Sequence, residues 1–369
     1  MYIITYSTLW SLYFLLLFYS TILISIVIYL IPTLVNFYST LKVKKKFYFI
    51  NGFSLYWILC IYIFLNIINI WILKTPVVSI WSNHFLINNY NLKMVYFIFF
   101  IFLFILLVYT TVFYMSSKEV YDYYMVIINF NLWMVILHST NSLFSVLFVI
   151  EVLTTLVLLL NTVSVFSSAY FNLNLKLSYY DFNHKNLPSS FIKSILFYFW
   201  TSLLSSLFLY FFLIFFYQRI NTFDWYVVEY IFTYFINFTS LTSLMKFSVI
   251  WYFLIFSFFL KCGLMPYFIW KPTYFKGVPY YTLFWYITYF YLFLFIFIVQ
   301  LLTNYFSIIF YQYIYLISIF VLVGLLFLNL LILETYYIKS FLAISSILNS
   351  TYLIFILINP HTLTTLFWL

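Results

Sequence analysis

Charge is scarce in this chain of 369 residues: only 6% of the residues are charged, whereas 67% are hydrophobic and 28% are aromatic. A water-soluble globular protein devotes about a quarter of its residues to charge. The shortage excludes a soluble domain and predicts a membrane protein. The formal net charge of +9 comes almost entirely from lysine, because Arg219 is the only arginine. Such sparse cations form no basic stripe, so nucleic-acid binding is disfavoured.

Glycine, alanine and cysteine are also rare. Four Gly and two Ala stand beside 51 Phe and 40 Tyr, a usage that indicates a strongly AT-biased, organelle-encoded gene. The chain runs from Met1 directly into apolar sequence, without a presequence or a cleavable signal, which synthesis inside an organelle does not require. Cys60 and Cys262 are isolated, so neither a disulfide framework nor a CxxC motif is present. The histidines lack ligand spacing, and no metal site is expected.

Long apolar runs bounded by the scarce charges dominate the sequence. About 20 apolar residues are needed to cross the hydrocarbon core as a helix. The pattern therefore predicts an all-α, polytopic membrane helix bundle of about ten transmembrane helices, two of which form a hairpin around Thr140-Asn141-Ser142. We expect residues 226–244 to form an interfacial segment instead. The predicted spans are 9–31, 48–73, 94–115, 123–139, 143–165, 191–217, 247–270, 280–302, 313–333 and 340–358.

The flanking cations are unequally divided between the two ends of these spans. With the N-terminus outside, one side receives Lys42, Lys44, Lys45, Lys46, Lys118, Lys176, Lys185, Lys271, Lys276 and Lys339. The other side receives Lys74, Lys93, Arg219 and Lys246. The positive-inside rule assigns the richer side to the cytoplasm-equivalent compartment. We therefore expect a multi-pass protein in contact with lipid, with that side in the matrix if the membrane is the mitochondrial inner membrane.

Two charged residues lie deep within predicted spans. Glu151 follows seven uncharged residues and lies about 12 Å into its helix, and Lys261 lies roughly 20 Å from the start of its own. A charge at a helix centre costs roughly 2.5–3.5 kcal/mol, so each needs a partner, water or a function. One interpretation is a buried pair that fixes helix register. The other is a pair that exchanges protons, because burial and an opposite neighbouring charge shift a pKa in opposite directions.

A helix break is predicted beside Lys261. Gly263 weakens the helix, and Pro266 lacks the amide hydrogen that would bond to the carbonyl of Cys262, four residues earlier. A broken helix is tolerated in a membrane only where protein or water lines the gap. The break would give Lys261 hydrated surroundings.

Residues 261–279, which read KCGLMPYFIWKPTYFKGVP, resemble the seventh-helix signature of the antiporter-like subunits of respiratory complex I. The Trp-x-Pro and Gly-x-Pro spacing is similar to the subunit 2 branch of that family rather than to the subunit 4 and 5 branches. The segments around Asn141 to Glu151, Lys193 to Ser202 and Ile338 to Ile347 resemble its fifth, sixth and tenth helices. The resemblance covers roughly residues 120–358.

The resemblance implies an antiporter-like fold with a proline-broken helix. Its segments would be 1–118 with three helices, 119–302 as a first repeat of five, and 303–369 as the start of a second repeat. It implies that Glu151 and Lys261 form the charged pair of a half-channel and that Lys193 relays protons toward it, although Lys193 could equally be an interfacial anchor. It further implies no cofactor, and proton translocation driven by quinone chemistry elsewhere, with complex I subunits 4 and 4L as neighbours.

The sequence departs from this family at two places that matter for function. Tyr291 stands where the family has an eighth-helix lysine, so its hydroxyl is a candidate proton relay. Lys339 is a second candidate relay, or else an interfacial anchor. The family's later helices are absent beyond Leu369, and we expect a separate polypeptide to supply them rather than a lost half-channel. Two alternatives stay open: a cation/proton antiporter subunit, and a structural membrane subunit with an inactive channel.

Overall fold

The computed structural model describes residues 59–68, 77–81, 83–112, 119–176, 189–234, 241–306 and 314–358, together with parts of 12–26. The described residues are mostly helical, as the apolar runs predict. Parts of the first two predicted spans, 9–31 and 48–73, lie outside them, and their described residues, parts of 12–26 and 59–68, are helical. The chain divides into two compact units, Met1–Lys185 with Pro279–Tyr289, and Asn186–Val278 with Phe290–Leu369.

The described part of the first unit contains a small β-hairpin, the helical residues 59–68 and parts of 12–26, and four longer or later helices. Strands β1 and β2 pair antiparallel and are followed by α1, α2, α3 and, later in the chain, α8. Their bounds are β1 Val78–Ile80, β2 Phe85–Ile87, α1 Asn89–Val112, α2 Glu119–Ser139, α3 Leu143–Lys176 and α8 Tyr280–Trp285. A π-helical segment, Tyr286–Tyr291, follows α8 in the chain.

The turn between α2 and α3 organises the first unit. The Ser142 hydroxyl accepts a hydrogen bond from the amide of Ser145 at 3.2 Å, which caps the N-terminus of α3. The β-hairpin docks on the same turn, since the amide of Asn141 donates to the carbonyl of His84 at 2.8 Å. The predicted helical hairpin is therefore present, and the β-hairpin pairs with its turn, an addition that the sequence did not predict.

The second unit contains the remaining helices. They are α4 Ser189–Ile220, α5 Trp225–Tyr234, α6 Leu241–Cys262, α7 Trp270–Gly277, α9 Leu292–Gln300, α10 Ile314–Leu333 and α11 Ile338–Ile358. A second π-helical segment, Leu301–Tyr305, follows α9. Large aromatic side chains hold this unit together. The ring of Phe306 lies 5.0 Å from that of Trp251 on α6 and 5.9 Å from that of Trp225 on α5.

Four helices among the described residues are long and apolar enough to cross a membrane. They are Leu143–Ser164, Phe191–Ile220, Tyr280–Thr303 and Ile338–Phe355. Five shorter apolar helices accompany them in the same part of the chain. Large apolar side chains such as Trp200 on α4 and Leu326 on α10 are 62% and 70% exposed, which suits a surface that faces lipid rather than water.

Two predicted boundaries are wrong, and one predicted break is present. Helix α6 begins at Leu241, so residues 241–244 belong to it and not to the interfacial segment. Helix α3 continues to Lys176, so the connection to α4 is shorter than the apolar pattern indicated. Both errors arise where polar residues extend a helix beyond its apolar part. The break predicted within the span 247–270 is confirmed, because α6 ends at Cys262 and α7 begins at Trp270.

Candidate functional site

The C-terminus of α6 closes in a glycine-dependent turn. The amide of Leu264 donates to the carbonyl of Phe259 at 2.8 Å, and the amide of Gly263 donates to the carbonyl of Leu260 at 3.3 Å. Gly263 has φ +61°, in the left-handed region where glycine pays no steric penalty. This pair of bonds is a Schellman motif, which ends a helix by satisfying its last carbonyls.

The first residues of α7 return to this helix end. The indole Nε1 of Trp270 donates to the carbonyl of Leu260 at 2.9 Å. The amine of Lys271 donates a long hydrogen bond of 3.5 Å to the carbonyl of Cys262. Cys262 is the residue whose carbonyl loses its intrahelical partner to Pro266. Two side chains from α7 therefore cap carbonyls at the end of α6.

Two lysines lie beside the break, which is the segment 263–269 between α6 and α7. The Lys261 side chain is 6% exposed and that of Lys271 is completely buried. Lys261 directly precedes Cys262, and the Lys271 amine reaches the carbonyl of Cys262, which is itself buried. The C-terminus of a helix carries a partial negative charge that favours cations nearby. The end of α6 therefore stabilises both lysines, although both are removed from water.

Lys271 also contacts an aromatic face. Its Nζ lies 3.5 Å from the centre of the Tyr291 ring, well inside the range of a cation–π interaction. Tyr291 ends the π-helical segment after α8, is buried and lies near Ser350 on α11. The Lys271 amine is thus next to the phenol of Tyr291, which is in turn near the hydroxyl of Ser350 on α11.

The far end of α7 is joined to α11 by another lysine. The amine of Lys339 donates to the carbonyl of Val278 at 2.7 Å, and Lys339 is partly buried. Lys276 on α7 is exposed and lies 5.3 Å from the ring centre of Tyr337. Lys339 thus fixes the Gly277-Val278-Pro279 connection. Its suggested part in a relay stays a prediction.

An apolar cluster supports the break from the other side. Met265 and Phe268, in the loop between α6 and α7, pack on Leu328 of α10 and on Ile344 and Ile347 of α11. This packing holds the loop while the polar side chains of α7 face the end of α6. The break is therefore held by apolar contacts with α10 and α11 of the second unit.

The other predicted site residues lie elsewhere. Glu151 is on α3, in the first unit, where it is partly buried, whereas Lys261 is in the second unit. Their pairing therefore stays a prediction. Lys193 is exposed in the first turn of α4, with its Nζ 5.9 Å from the ring centre of Phe197, and its role also stays a prediction.

Lys271 was missed as a site residue because it follows the end of an apolar run and was counted among the flanking cations. The available signal was its position between Trp270 and Pro272, directly after a predicted break. A lysine in such a place has an unpaired carbonyl within reach.

No family model and no curated protein matches this sequence. Solved structures do match in fold. One is a chain in the structure of respiratory complex I from Thermus thermophilus with bound aureothin, with a TM-score of 0.57 and 15% identity over 90% of this chain and 62% of that chain. Another is a chain of the membrane-bound sulfane sulfur reductase, an archaeal respiratory membrane complex, with a TM-score of 0.54 and 14% identity over 72% of this chain and 49% of that chain.

This chain therefore has a fold that also occurs in membrane chains of respiratory complexes. It spans 62% and 49% of the two matched chains. At such low identity the likeness establishes the fold and not the activity.

Proposed function

We propose that this chain is a membrane-arm subunit of a proton-pumping NADH:ubiquinone oxidoreductase, of the subunit 2 type, and that it takes part in proton translocation. The observation that carries the proposal is Lys261, a lysine buried at the end of a broken apolar helix in a chain with this fold. An ionisable group in such a position marks a proton or ion pathway by default.

The proposed pathway uses Lys261 as a proton-carrying group with Glu151 as its acidic partner, and Lys193 as an entry relay. The break supports this use, because an interrupted helix is tolerated in a membrane only where protein or water lines it. Quinone reduction elsewhere in the complex drives the transfer, and this chain holds no redox cofactor in the proposal. Its neighbours are the other membrane-arm subunits, subunits 4 and 4L among them.

The composition supports an organelle-encoded protein of the mitochondrial inner membrane. The excess of Phe and Tyr over Gly is the usage expected from an AT-biased genome. Isolation of the complex from mitochondrial inner membranes, with this chain identified in it by mass spectrometry, tests the location and the partners together. Recovery of the chain in a complex that does not oxidise NADH but transports cations would favour the antiporter alternative.

The function is tested by Lys261→Met in the assembled complex, with Lys93→Met on α1 as the matched control because Lys93 is exposed. Native gels follow assembly, and proton uptake into proteoliposomes is measured per NADH oxidised. We expect Lys261→Met to assemble and to lose most of its pumping, while Lys93→Met retains it. Normal pumping by an assembled Lys261→Met complex would overturn the proposal and favour a structural subunit with an inactive channel.

A further inference from the structure

We infer that Lys271 is a second proton-carrying amine at the break, and that it passes its proton toward Tyr291 and Ser350. The inference rests on the proposed function and extends it to a residue outside the predicted pathway. Three observations carry it: the complete burial of Lys271, its contacts with Cys262 and Tyr291, and the continuation of the polar path onto α11.

The surroundings of the amine favour exchange over a fixed ion pair. Among the described residues, its polar contact is the carbonyl of Cys262 at 3.5 Å, which is at the long limit for a hydrogen bond. The ring of Tyr291 supplies the second contact, at 3.5 Å from its centre. An ammonium group has three donors, and neither of these contacts is a short bond to an acceptor that would hold its proton. A short bond to a carboxylate would instead hold the proton.

Tyr291 serves the amine in two ways. Its face holds the cation, and its hydroxyl lies near the buried Ser350 on α11. Ser350 is buried and bonds to its own helix, donating to the carbonyl of Ile347 at 2.8 Å. Lys271, Tyr291 and Ser350 thus lead from the break to α11 through groups that accept and donate protons.

The transfer step is a simple proton transfer. An N–H bond of the Lys271 ammonium breaks while an O–H bond forms on the acceptor, either a water at the break or the Tyr291 hydroxyl, and the acceptor releases its own proton onward. No oxidant, reductant or further reactant is required. Because Nζ lies over the ring face, transfer to the hydroxyl needs a bridging water or a rotation of the lysine side chain.

The inference also gives Tyr291 an amine as its neighbour, since the Lys271 side chain reaches its ring from α7. Lys261 and Lys271 then form a pair of amines that share Cys262 as a neighbour.

A structural role is the competing explanation, in which Lys271 only caps the Cys262 carbonyl. Arginine separates the two roles, because its guanidinium is always charged and donates hydrogen bonds but does not release a proton in proteins. The test compares Lys271→Met, Lys271→Arg and the exchange Lys271→Leu with Tyr291→Lys, each in the whole complex. Lys276→Met is the control, since Lys276 is exposed on the same helix.

Proton uptake per NADH oxidised and its pH profile are measured in proteoliposomes, with assembly followed on native gels. We expect Lys271→Met and Lys271→Arg to lose most of the pumping, the exchange variant to recover part of it with a shifted pH profile, and Lys276→Met to match the wild type. Tyr291→Phe, which keeps the ring face and removes the hydroxyl, should lower pumping without loss of assembly.

Pumping restored by Lys271→Arg, or unaffected by Lys271→Met, would overturn the inference. If Lys271→Met does not assemble, the inference is tested with the exchange variant, Lys271→Leu with Tyr291→Lys. Proton pumping by the assembled exchange complex supports the inference. Assembly of that complex without pumping contradicts it. Failure of all three Lys271 variants to assemble shows a structural requirement and also overturns it. Lys261→Met is measured alongside. If Lys261→Met stops pumping and the Lys271 variants do not, only the inference about Lys271 fails; if both pump normally, the proposed function fails.

Discussion

Alanine at Gly263 should loosen the break. Gly263 has φ +61°, and an L-residue in this left-handed conformation costs roughly 1–2 kcal/mol. The added Cβ would also lie 3.2 Å from Cδ of Lys271 and 3.3 Å from both Cβ of Lys271 and Cε2 of Trp270. These side chains are held by their bonds to α6, so they yield only with loss of those bonds. We expect Gly263→Ala to destabilise the break by about 1–3 kcal/mol in total.

Cys262 offers a direct assay, because its thiol is buried beside the substituted glycine. In a Cys60→Ser background, a maleimide reagent labels Cys262 only when the break opens, so the labelling rate follows the local opening equilibrium. A loss of about 1–3 kcal/mol corresponds to roughly 5- to 150-fold more opening, at about 1.4 kcal/mol per tenfold change. We therefore expect labelling of Gly263→Ala to be about that much faster than in the parent.

Gly263→Asn is the matched comparison. Asparagine adopts the left-handed region more readily than alanine, so it carries the same Cβ contacts with less backbone strain. Labelling should rank Ala above Asn above Gly. Equal rates for alanine and glycine would refute the reasoning, and a faster rate for asparagine than for alanine would show that crowding, not φ, decides the cost.

Three other substitutions test the packing, each by the thermal unfolding midpoint of the purified protein. Gly324→Ala should lower the midpoint, since its Cβ would lie 2.7 Å from Cβ of Met265 and overpacking costs about 1–3 kcal/mol; an unchanged midpoint would contradict this contact. Trp270→Phe removes the bond to Leu260 and should cost about 0.5–1.5 kcal/mol, so a stability equal to the parent would show that the indole bond contributes nothing. Tyr289→Phe removes the buried hydroxyl that donates to Asn131 and should lower the free energy of unfolding by about 1–3 kcal/mol. An unchanged midpoint would contradict this prediction.

The helix boundaries that sequence reasoning located well are those with local causes. The α2–α3 hairpin turns at Thr140-Asn141-Ser142, where polar side chains bond to nearby backbone, and Ser142 caps the helix that follows. The end of α6 at Cys262 has the same kind of cause, since Gly263 adopts the left-handed conformation that closes the helix. A glycine and a polar triplet act within a few residues, so the sequence displays them directly.

Other features depend on contacts that are distant in sequence. The strands β1 and β2 have three residues each, too few for alternation to be visible, and their docking partner is the turn near Asn141. The π-helical segment Tyr286–Tyr291 lies in an apolar run that reads as an ordinary helix. Both depend on tertiary packing, which the apolar pattern does not specify.

At the site itself, the burial of Lys271 is the feature that the sequence pattern did not predict. Its position after an apolar run predicts a lysine at the membrane surface, as for Lys276, five residues later, which is exposed. Lys271 is instead completely buried. Burial of Lys271 follows from the break, because Pro266 frees the carbonyl of Cys262 and α7 turns back toward it. The broken helix therefore leaves the Cys262 carbonyl as a hydrogen-bond acceptor, and the Lys271 amine binds to it. In the inferred pathway the same amine carries a proton. A rule that counts lysines outside spans will miss any cation that a break recruits in this way.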